Sequence, residues 1–306
     1  MMDILQLVIV GMVVGSIIGL GAMGLTLTFG VLKFANFAHA DLMTLGMYLA
    51  FFVVVDIGIV GPHVGPFSFG WGMILAVLFA WGGVAAFTVG VDRFVFRPLR
   101  RRGTDFLSIG IASLGVAIAL QAVVQAVWGS APLRYHSEIH RALDFAGGLK
   151  IKPDQILIIG LTLAMALALY LLLHRTRLGT AMRATSDNAP LAEASGIDTE
   201  RVRIATWVIA SALTAVAGVM FALQSQLRFD AGFEFLLLPM FAAVILGGIG
   251  NPWGALVGGL IVGISQELST EWINTGFKPG VPFALLILIL IVRPRGLFGS
   301  ETQWST

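Results

Sequence analysis

Long apolar runs separated by short polar segments dominate the chain. Runs of about 20 residues with few or no charges are long enough to cross a bilayer as helices. The two segments on either side of Gly247 are short and are expected to be partly re-entrant. The pattern predicts an all-α polytopic membrane protein, a single transmembrane domain over residues 1–306. It has eight transmembrane helices, or nine if both short segments cross, with some helices broken or re-entrant. The candidate spans are residues 4–29, 34–60, 71–91, 106–127, 156–173, 204–223, 235–246, 255–264 and 281–292.

Composition agrees with a location in the lipid bilayer and narrows the chemistry. Hydrophobic residues make up 57% of the chain and charged residues 12%, with a mean hydropathy of +0.90, whereas soluble domains average about 25% charged residues. The chain has no cysteine, which excludes disulfides, thiolate catalysis and cysteine-bound metal. No basic region precedes the first apolar run, so that run is interpreted as a retained span rather than a signal peptide. Nothing in the charge pattern indicates nucleic-acid binding.

Basic residues cluster in three polar segments, and this clustering sets the expected orientation. Residues 93–102, 175–203 and 293–295 contain most of the arginines, and cytoplasmic loops of membrane proteins are enriched in Lys and Arg. These segments, together with Lys33, are therefore assigned to the cytoplasm, with the N-terminus outside and the C-terminus inside. That orientation requires an odd number of crossings and conflicts with a count of eight. Asp56 and Glu267 then fall near outer helix ends, where both are expected to be solvated.

The polar segment at residues 175–203 is expected to meet a soluble partner in the cytoplasm. Ser186 or Asp187 can cap a short helix. Pro190 stands in or near its first turn, and Gly196 ends it. The pattern predicts a docking helix within residues 187–196 of this coupling loop. The residues expected to contact that partner are Arg183, Asp187, Glu193 and Gly196.

Glycines recur at helical spacing in two parts of the chain. Small residues at this spacing let helix backbones approach closely in lipid. The repeats favour tight packing within the chain, with a seam against a second membrane subunit as the alternative. The glycines concerned are Gly11, Gly15 and Gly19 in the first span and Gly254, Gly258, Gly259 and Gly263 near the end.

Two breaks interrupt the apolar runs, at residues 33–41 and 246–254. The first is expected at the inner face, either as a capped interfacial loop or as a break between helices beside the translocation path, because polar groups at membrane depth usually face a cavity or a partner. The second contains four glycines, an Asn and a Pro and cannot continue a helix. Two interpretations of this segment, a tight turn and a gating segment, are retained. The residues expected to line or gate one pathway are Asn36, Phe37, His39, Asp41, Gly247, Gly248, Gly250 and Asn251.

The sequence contains no recognisable catalytic set and no site for energy coupling. The motifs G-x-S-x-G and H-E-x-x-H are absent, and no lysine follows a glycine, so there is no Walker A motif. His136 and His140 alone are a weak metal signal, and no cofactor is expected. No carboxylate falls at the middle of a candidate span, where a charge costs at least about 2.5 kcal/mol. Transport driven by a proton or sodium gradient is therefore disfavoured, and ATP is expected to bind to other chains.

Several segments taken together resemble the LivH-type permeases of bacterial branched-chain amino acid ABC importers, nearly from end to end. Two departures from that family's pattern are Ala40, where a glycine is usual, and the charge of Lys33. The segments that carry the resemblance are residues 24–32 (GLTLTFGVL), 36–39 (NFAH), 96–100 (FRPLR), 179–198 with Arg183, Ala192 and the GID at its end, 242–250 (AAVILGGIG) and 293–298 (RPRGLF).

The resemblance implies the ABC importer permease fold in the bacterial inner membrane. It also implies a heteromeric importer: this chain pairs with a second permease subunit, two ATPase subunits dock beneath, and a periplasmic binding protein delivers the solute. The implied solute is a branched-chain or related amino acid. Because the two departures lie near the expected path, urea, short amides or another small polar solute are the alternative within the same class. An ion-coupled secondary transporter is the less favoured alternative.

Overall fold

Helices account for most of the computed structural model, which describes residues 2–62, 64–135, 143–145 and 149–299. A small antiparallel hairpin, β1 (Leu143–Phe145) and β2 (Leu149–Ile151), is an addition to the all-helical prediction. Within the described residues, three π-helical turns occur, at Phe52–Asp56, Asp92–Phe96 and Gly232–Leu236. The α-helices are α1 (Met2–Leu32), α2 (His39–Phe51), α3 (Gly72–Val91), α4 (Arg97–Arg101), α5 (Phe106–Trp128), α6 (Pro153–Arg175), α7 (Arg177–Asp187), α8 (Ala189–Ala194), α9 (Thr199–Gln224), α10 (Leu237–Gly247), α11 (Pro252–Ser269) and α12 (Gly280–Val292).

In the part of the chain that the structure describes, six helical stretches are long and apolar enough to cross a membrane. They are Ile4–Leu32, His39–Asp56, Gly72–Arg101, Phe106–Trp128, Pro153–Arg175 and Thr199–Gln224. Three further apolar helices follow them: α10 with its preceding π-helical turn, α11 and α12. Within the described residues this makes nine apolar segments, each running back across the bundle from the one before it.

Contacts between helix ends divide the bundle into two faces. Three of them join ends on the arginine-rich face: Ser186 with Gly30, Arg97 with Glu200, and Leu297 with Leu246. Three others join ends on the opposite face: Gln6 with Lys150, Trp128 with Asp56, and Leu133 with Leu227. The segments therefore alternate in direction, which gives nine crossings, within the predicted count of eight or nine. Nine crossings, with the N-terminus outside, place the arginine-rich segments on one face, as the enrichment of Lys and Arg in cytoplasmic loops requires.

Asn and Asp residues begin four helices on the inner face. A side-chain oxygen of each accepts a backbone N–H in the first turn of its helix, which satisfies a donor that has no partner within the helix. The capping residues are Asp105 for α5, Asn188 for α8, Asp198 for α9 and Asn251 for α11.

Helices α1 and α9 form the centre of the bundle, with α11 packed along α1. Gly11, Gly15 and Gly19 of α1 and Gly259 and Gly263 of α11 lie in this seam, whereas Gly254 and Gly258 face α10. A Cβ built on Gly263 would lie 2.3 Å from the Cα of Gly15, and one built on Gly11 would lie 2.6 Å from the Cα of Ile264. A Cβ on Gly258 of α11 would lie 2.1 Å from the carbonyl oxygen of Ala243 on α10. The glycines therefore let three helix backbones approach closely within one chain.

Candidate translocation and coupling sites

The segment between α1 and α2 folds back into the bundle. Lys33 ends α1 in a left-handed conformation (φ 61°) and is exposed. His39, which begins α2, is buried, with its Nε2 3.0 Å from the carbonyl oxygen of Gly21. Gly21 lies about 16 Å from the inner end of α1. The chain thus returns towards mid-membrane before α2 starts, and the interpretation of this break as an interfacial loop is wrong.

His39 connects α2 to α1 and α9. Its Nε2 also lies 3.2 Å from the hydroxyl of Thr214, which itself donates to the carbonyl of Ala210. Because both neighbouring oxygens accept, Nε2 carries the proton in this arrangement. Gly24 faces the ring so closely that a Cβ there would lie 3.1 Å from it. The ring is thereby packed between α1 and α9.

Asp41 is a fully buried carboxylate inside the membrane-spanning region. The amide of Gln121 donates to its Oδ1 at 2.9 Å. Gln121 lies about 10 Å from the outer end of α5 and about 22 Å from the inner end. The prediction that no carboxylate lies deep in a span is therefore wrong. The reason is that residues 33–38 retrace the depth of α1, so a position early in the sequence of the span is far from the inner face.

The first turn of α2 packs on the start of the α10 segment. The backbone N–H of Gly232 donates to the hydroxyl of Thr44 (2.9 Å), and a Cβ on Gly232 would lie 2.5 Å from the carbonyl oxygen of Ala40. Phe37 stacks on Phe241 of α10, with ring centroids 5.1 Å apart. The first break and the start of α2 therefore lie against the α10 segment. Asn36, also buried, stabilises the turn by accepting the N–H of Ala38 on its side-chain oxygen.

The second break is a tight turn between α10 and α11. Gly248 and Gly250 have φ angles of 102° and 88°, which glycine adopts without strain. Gly247 and Gly254 meet so closely that a Cβ on the first would lie 2.1 Å from the carbonyl carbon of the second. The N–H of Gly250 donates to the hydroxyl of Thr26 at 2.8 Å. Gly247 and Gly248 are thus packing residues in a turn.

An inner cavity of about 420 Å³ borders this turn. It contains Gly250 and Asn251 but none of residues 36–41, so the two breaks do not share this cavity. Its walls come from the inner ends of α1 and α6, from α7 and from the C-terminal segment. The polar residues that line it are Thr26, His174, Arg183, Ser186 and Asn251.

The coupling loop folds into two helices, α7 and α8, where a single docking helix was predicted. Asn188 caps α8 by accepting the N–H of Leu191 (3.0 Å), so the prediction of Ser186 or Asp187 as the cap is wrong. Ser186 instead donates to the carbonyl of Gly30 at the end of α1 (2.9 Å). Pro190 stands in the first turn of α8, and Gly196 follows it with φ 86°. The side chains of Arg183, Asp187 and Glu193 are exposed.

An outer cavity of about 590 Å³ lies between α1, α9, α11 and the Gly232–Leu236 turn. One wall is apolar and includes Val10, Val14 and Ile17 of α1 together with Phe221 and Pro239. The sequence did not predict this site, because its residues are far apart in the chain and belong to six helical elements. The charged residues that line it are Arg228, Glu234, Glu267 and Lys278.

Ion pairs hold the charges of the outer cavity. Arg228 binds Asp230 through two hydrogen bonds of 2.9 and 2.7 Å and also reaches Glu234 at 3.1 Å. The hydrogen bond and charge of Arg228 lower the pKa of Asp230 below its usual value. Glu267 is 7% exposed and bonds to Lys278, so the expectation that Glu267 is solvated is wrong. Asp56, by contrast, is exposed and accepts the indole N–H of Trp128.

Metal-binding clusters of three or more His, Asp or Glu are absent from the part of the chain that the structure describes. His136 and His140 lie outside the described residues.

Comparison with known proteins gives consistent matches over nearly the whole chain. The family described as "Branched-chain amino acid transport system / permease component" matches residues 7–290. LivH of Escherichia coli K12, a high-affinity branched-chain amino acid transport permease, is 32% identical, with 96% of this chain and 95% of LivH covered. BraD of Pseudomonas aeruginosa, of the same description, is 33% identical with the same coverage. LivM of Methanocaldococcus jannaschii, a probable branched-chain amino acid transport permease, is 28% identical, covering 74% of this chain and 68% of LivM.

Proposed function

Because this chain belongs to the family of permease components of branched-chain amino acid transport systems, we propose that it carries a branched-chain or related amino acid inward, powered by ATPase subunits on other chains. It is a multi-pass helical protein of the cytoplasmic membrane. Urea, short amides or another small polar solute would be the cargo if the departures at Lys33 and Ala40 alter selectivity.

The proposed complex contains a second permease subunit, two ATPase subunits and a periplasmic binding protein. The similarity to both LivH and LivM, two permeases with different names, supports a related heteromeric partner. ATP would bind only to the ATPase subunits, in keeping with the absence of a Walker A motif here.

The observation that carries the coupling mechanism is the link between α7 and α1. Ser186 of α7 bonds to Gly30 of α1, and both residues line the inner cavity together with Gly250. Gly250 is in turn bonded to Thr26 of α1. A displacement of α7 and α8 by an ATPase would therefore move the inner end of α1 and the α10–α11 turn together. Rigid packing transmits such displacements because packed elements shift as units.

Buried Asp41 is the one feature that favours a second candidate, an ion-coupled transporter. A carboxylate within the membrane can relay protons. Asp41 has Gln121 as a hydrogen-bond partner, and the same bond also serves a purely structural role, in which the carboxylate orients α2 against α5. The functional experiment must therefore separate ATP from ion gradients as the energy source.

Uptake by the complete complex in proteoliposomes makes this separation. We expect leucine uptake only with ATP and the binding protein both present, unchanged by a protonophore at constant ATP, and retained in an Asp41→Asn variant that folds. Leucine movement by this chain alone under an imposed pH or sodium gradient would overturn the proposal in favour of the second candidate.

Variants of the α8 cap test the coupling role. Asn188→Ala removes a helix cap worth about 1 kcal/mol and should lower uptake per ATP hydrolysed, whereas Asn188→Asp keeps the capping oxygen and should behave as wild type. Glu193→Lys and Gly196→Leu should weaken ATPase retention on purification, through reversed charge and through a side chain at φ 86° respectively. Normal coupling and normal copurification in all three disruptive variants would show that α8 does not contact the ATPase.

A further inference from the structure

The outer cavity combines an apolar wall with charges of both signs. The wall comes from the outer half of α1, where Val10, Val14, Ile17 and Ile18 face the space, and from Phe221 of α9. Two separate ion pairs also line the cavity, Arg228 with Glu234 and Lys278 with Glu267. An amino acid with a branched aliphatic side chain presents the same three features: an apolar end, an ammonium group and a carboxylate.

Two of the charged side chains retain unused hydrogen-bonding capacity. Arg228 uses Nε and Nη2 for Asp230 and Glu234, and its Nη1 donates to no group among the described residues. A guanidinium has five N–H donors in a planar fork that fits a carboxylate. Glu234 accepts from Arg228 on Oε2 and also lies beside the Asp230 carboxyl. Its Oε1 accepts no N–H among the described residues, so it can accept from an ammonium group. The existing pairs therefore need not break for a zwitterion to bind.

The position of these groups follows from the π-helical turn. Glu234 and Phe235 lie within Gly232–Leu236, the turn that packs on α2 through Gly232 and Thr44. Arg228 lies 5.3 Å above the ring of Phe235, a cation–π contact that fixes the guanidinium at the rim. The turn that carries Glu234 and Phe235 thus packs directly on the buried start of α2.

We propose that the outer cavity is a receiving site for the zwitterionic amino acid, in which Arg228 Nη1 binds its carboxylate, Glu234 Oε1 binds its ammonium group and the α1 wall accepts its aliphatic side chain. This inference rests on the proposed function, since it names where on this chain the solute first binds. The permease itself then selects for a free carboxylate, a free ammonium group and an apolar side chain.

Photolabelling with a diazirine analogue of leucine tests the site directly. The reconstituted complex is incubated with the binding protein and the analogue, irradiated and analysed by mass spectrometry. We expect labels on the α1 wall at Val10, Val14, Ile17 or Ile18, suppressed by excess leucine and not by leucine amide, which lacks the carboxylate. Labels found only elsewhere on the chain would overturn the inference.

Charge variants give an independent readout. Arg228→Gln and Glu234→Gln should each lower labelling and leucine uptake at low substrate about tenfold, the loss of one charge-assisted hydrogen bond, and Arg228→Lys should recover part of both. Arg134→Gln and Glu271→Gln are matched controls, since both residues are exposed and outside the cavity lining. Affinity for the binding protein is measured in parallel and should not change.

The outcomes distinguish this inference from the function on which it rests. Failure of the wild-type complex to take up leucine with ATP and the binding protein would overturn the proposed function. Normal leucine uptake in wild type, with Arg228→Gln and Glu234→Gln behaving like their controls, would overturn the receiving site alone. A loss of uptake explained entirely by lost affinity for the binding protein would also overturn it, because the charges would then serve docking.

Discussion

The α1–α11 seam makes a sharp prediction about single methyl groups. In Gly263→Ala the new Cβ would lie 2.3 Å from the Cα of Gly15, whereas non-bonded carbons prefer about 3.5–4.0 Å. The atom in the way is backbone, so it cannot rotate aside. The two helices must therefore separate by more than about 1 Å, which also loosens the contacts on either side.

The magnitude follows from two opposing terms. Overpacking a well-packed interface costs about 1–3 kcal/mol, and replacing a helical glycine by alanine returns up to about 1 kcal/mol. We expect a net loss of about 1–2 kcal/mol for Gly263→Ala. Gly115→Ala and Gly160→Ala are matched controls, because a Cβ at either position meets nothing within 4 Å. Those two should be neutral or slightly stabilising.

The assay is thermal unfolding of the purified chain in detergent, followed by fluorescence-detected size exclusion. We expect Gly263→Ala to melt several degrees below wild type, at about 2–4 °C per kcal/mol for a chain of this order of size. Both controls should melt at or above the wild-type temperature. If Gly263→Ala is as stable as Gly115→Ala, the seam is not closely packed and the assignment of these glycines to packing within the chain fails.

Two further predictions concern polar groups. Gln121→Leu leaves the buried Asp41 oxygen without its donor and should destabilise the protein by about 1–3 kcal/mol or more. The control Gln125→Leu, at an exposed position on the same helix, should change the stability by no more than about 0.5 kcal/mol. Equal melting temperatures for the two variants would show that the Asp41–Gln121 bond does not stabilise the fold. Because Arg228 lowers the pKa of Asp230, the pair stabilises the folded state above the ordinary Asp pKa and loses that effect as pH falls through the lowered value. The difference in melting temperature between wild type and Arg228→Gln should therefore be constant from about pH 5 to pH 8 and shrink only below about pH 4, and a change centred near neutral pH would contradict this.

The local features of the fold were predictable because they depend on short-range chemistry. Apolar runs predicted where the membrane segments lie, and the arginine clusters predicted which helix ends share one face of the bundle, even against the count of eight. Pro190 and Gly196 predicted the limits of a short helix in the coupling loop. The cap was misassigned by one or two positions, because Ser186, Asp187 and Asn188 are all good capping residues and only the path of α7 decides between them.

The functional geometry was decided by tertiary structure alone. The spacing of hydrophobic residues does not indicate that residues 33–38 turn back along α1. The burial of His39 and Asp41 at mid-membrane therefore could not be predicted from their position in the sequence. The outer cavity brings α1 together with Arg228 and Glu267, which are more than 200 positions away in the chain. Sequence patterns determine which residues prefer lipid, water or a helix end, since these preferences act over a few residues. Which polar groups meet inside the bundle depends on how the helices pack, and that packing is set by contacts between distant segments.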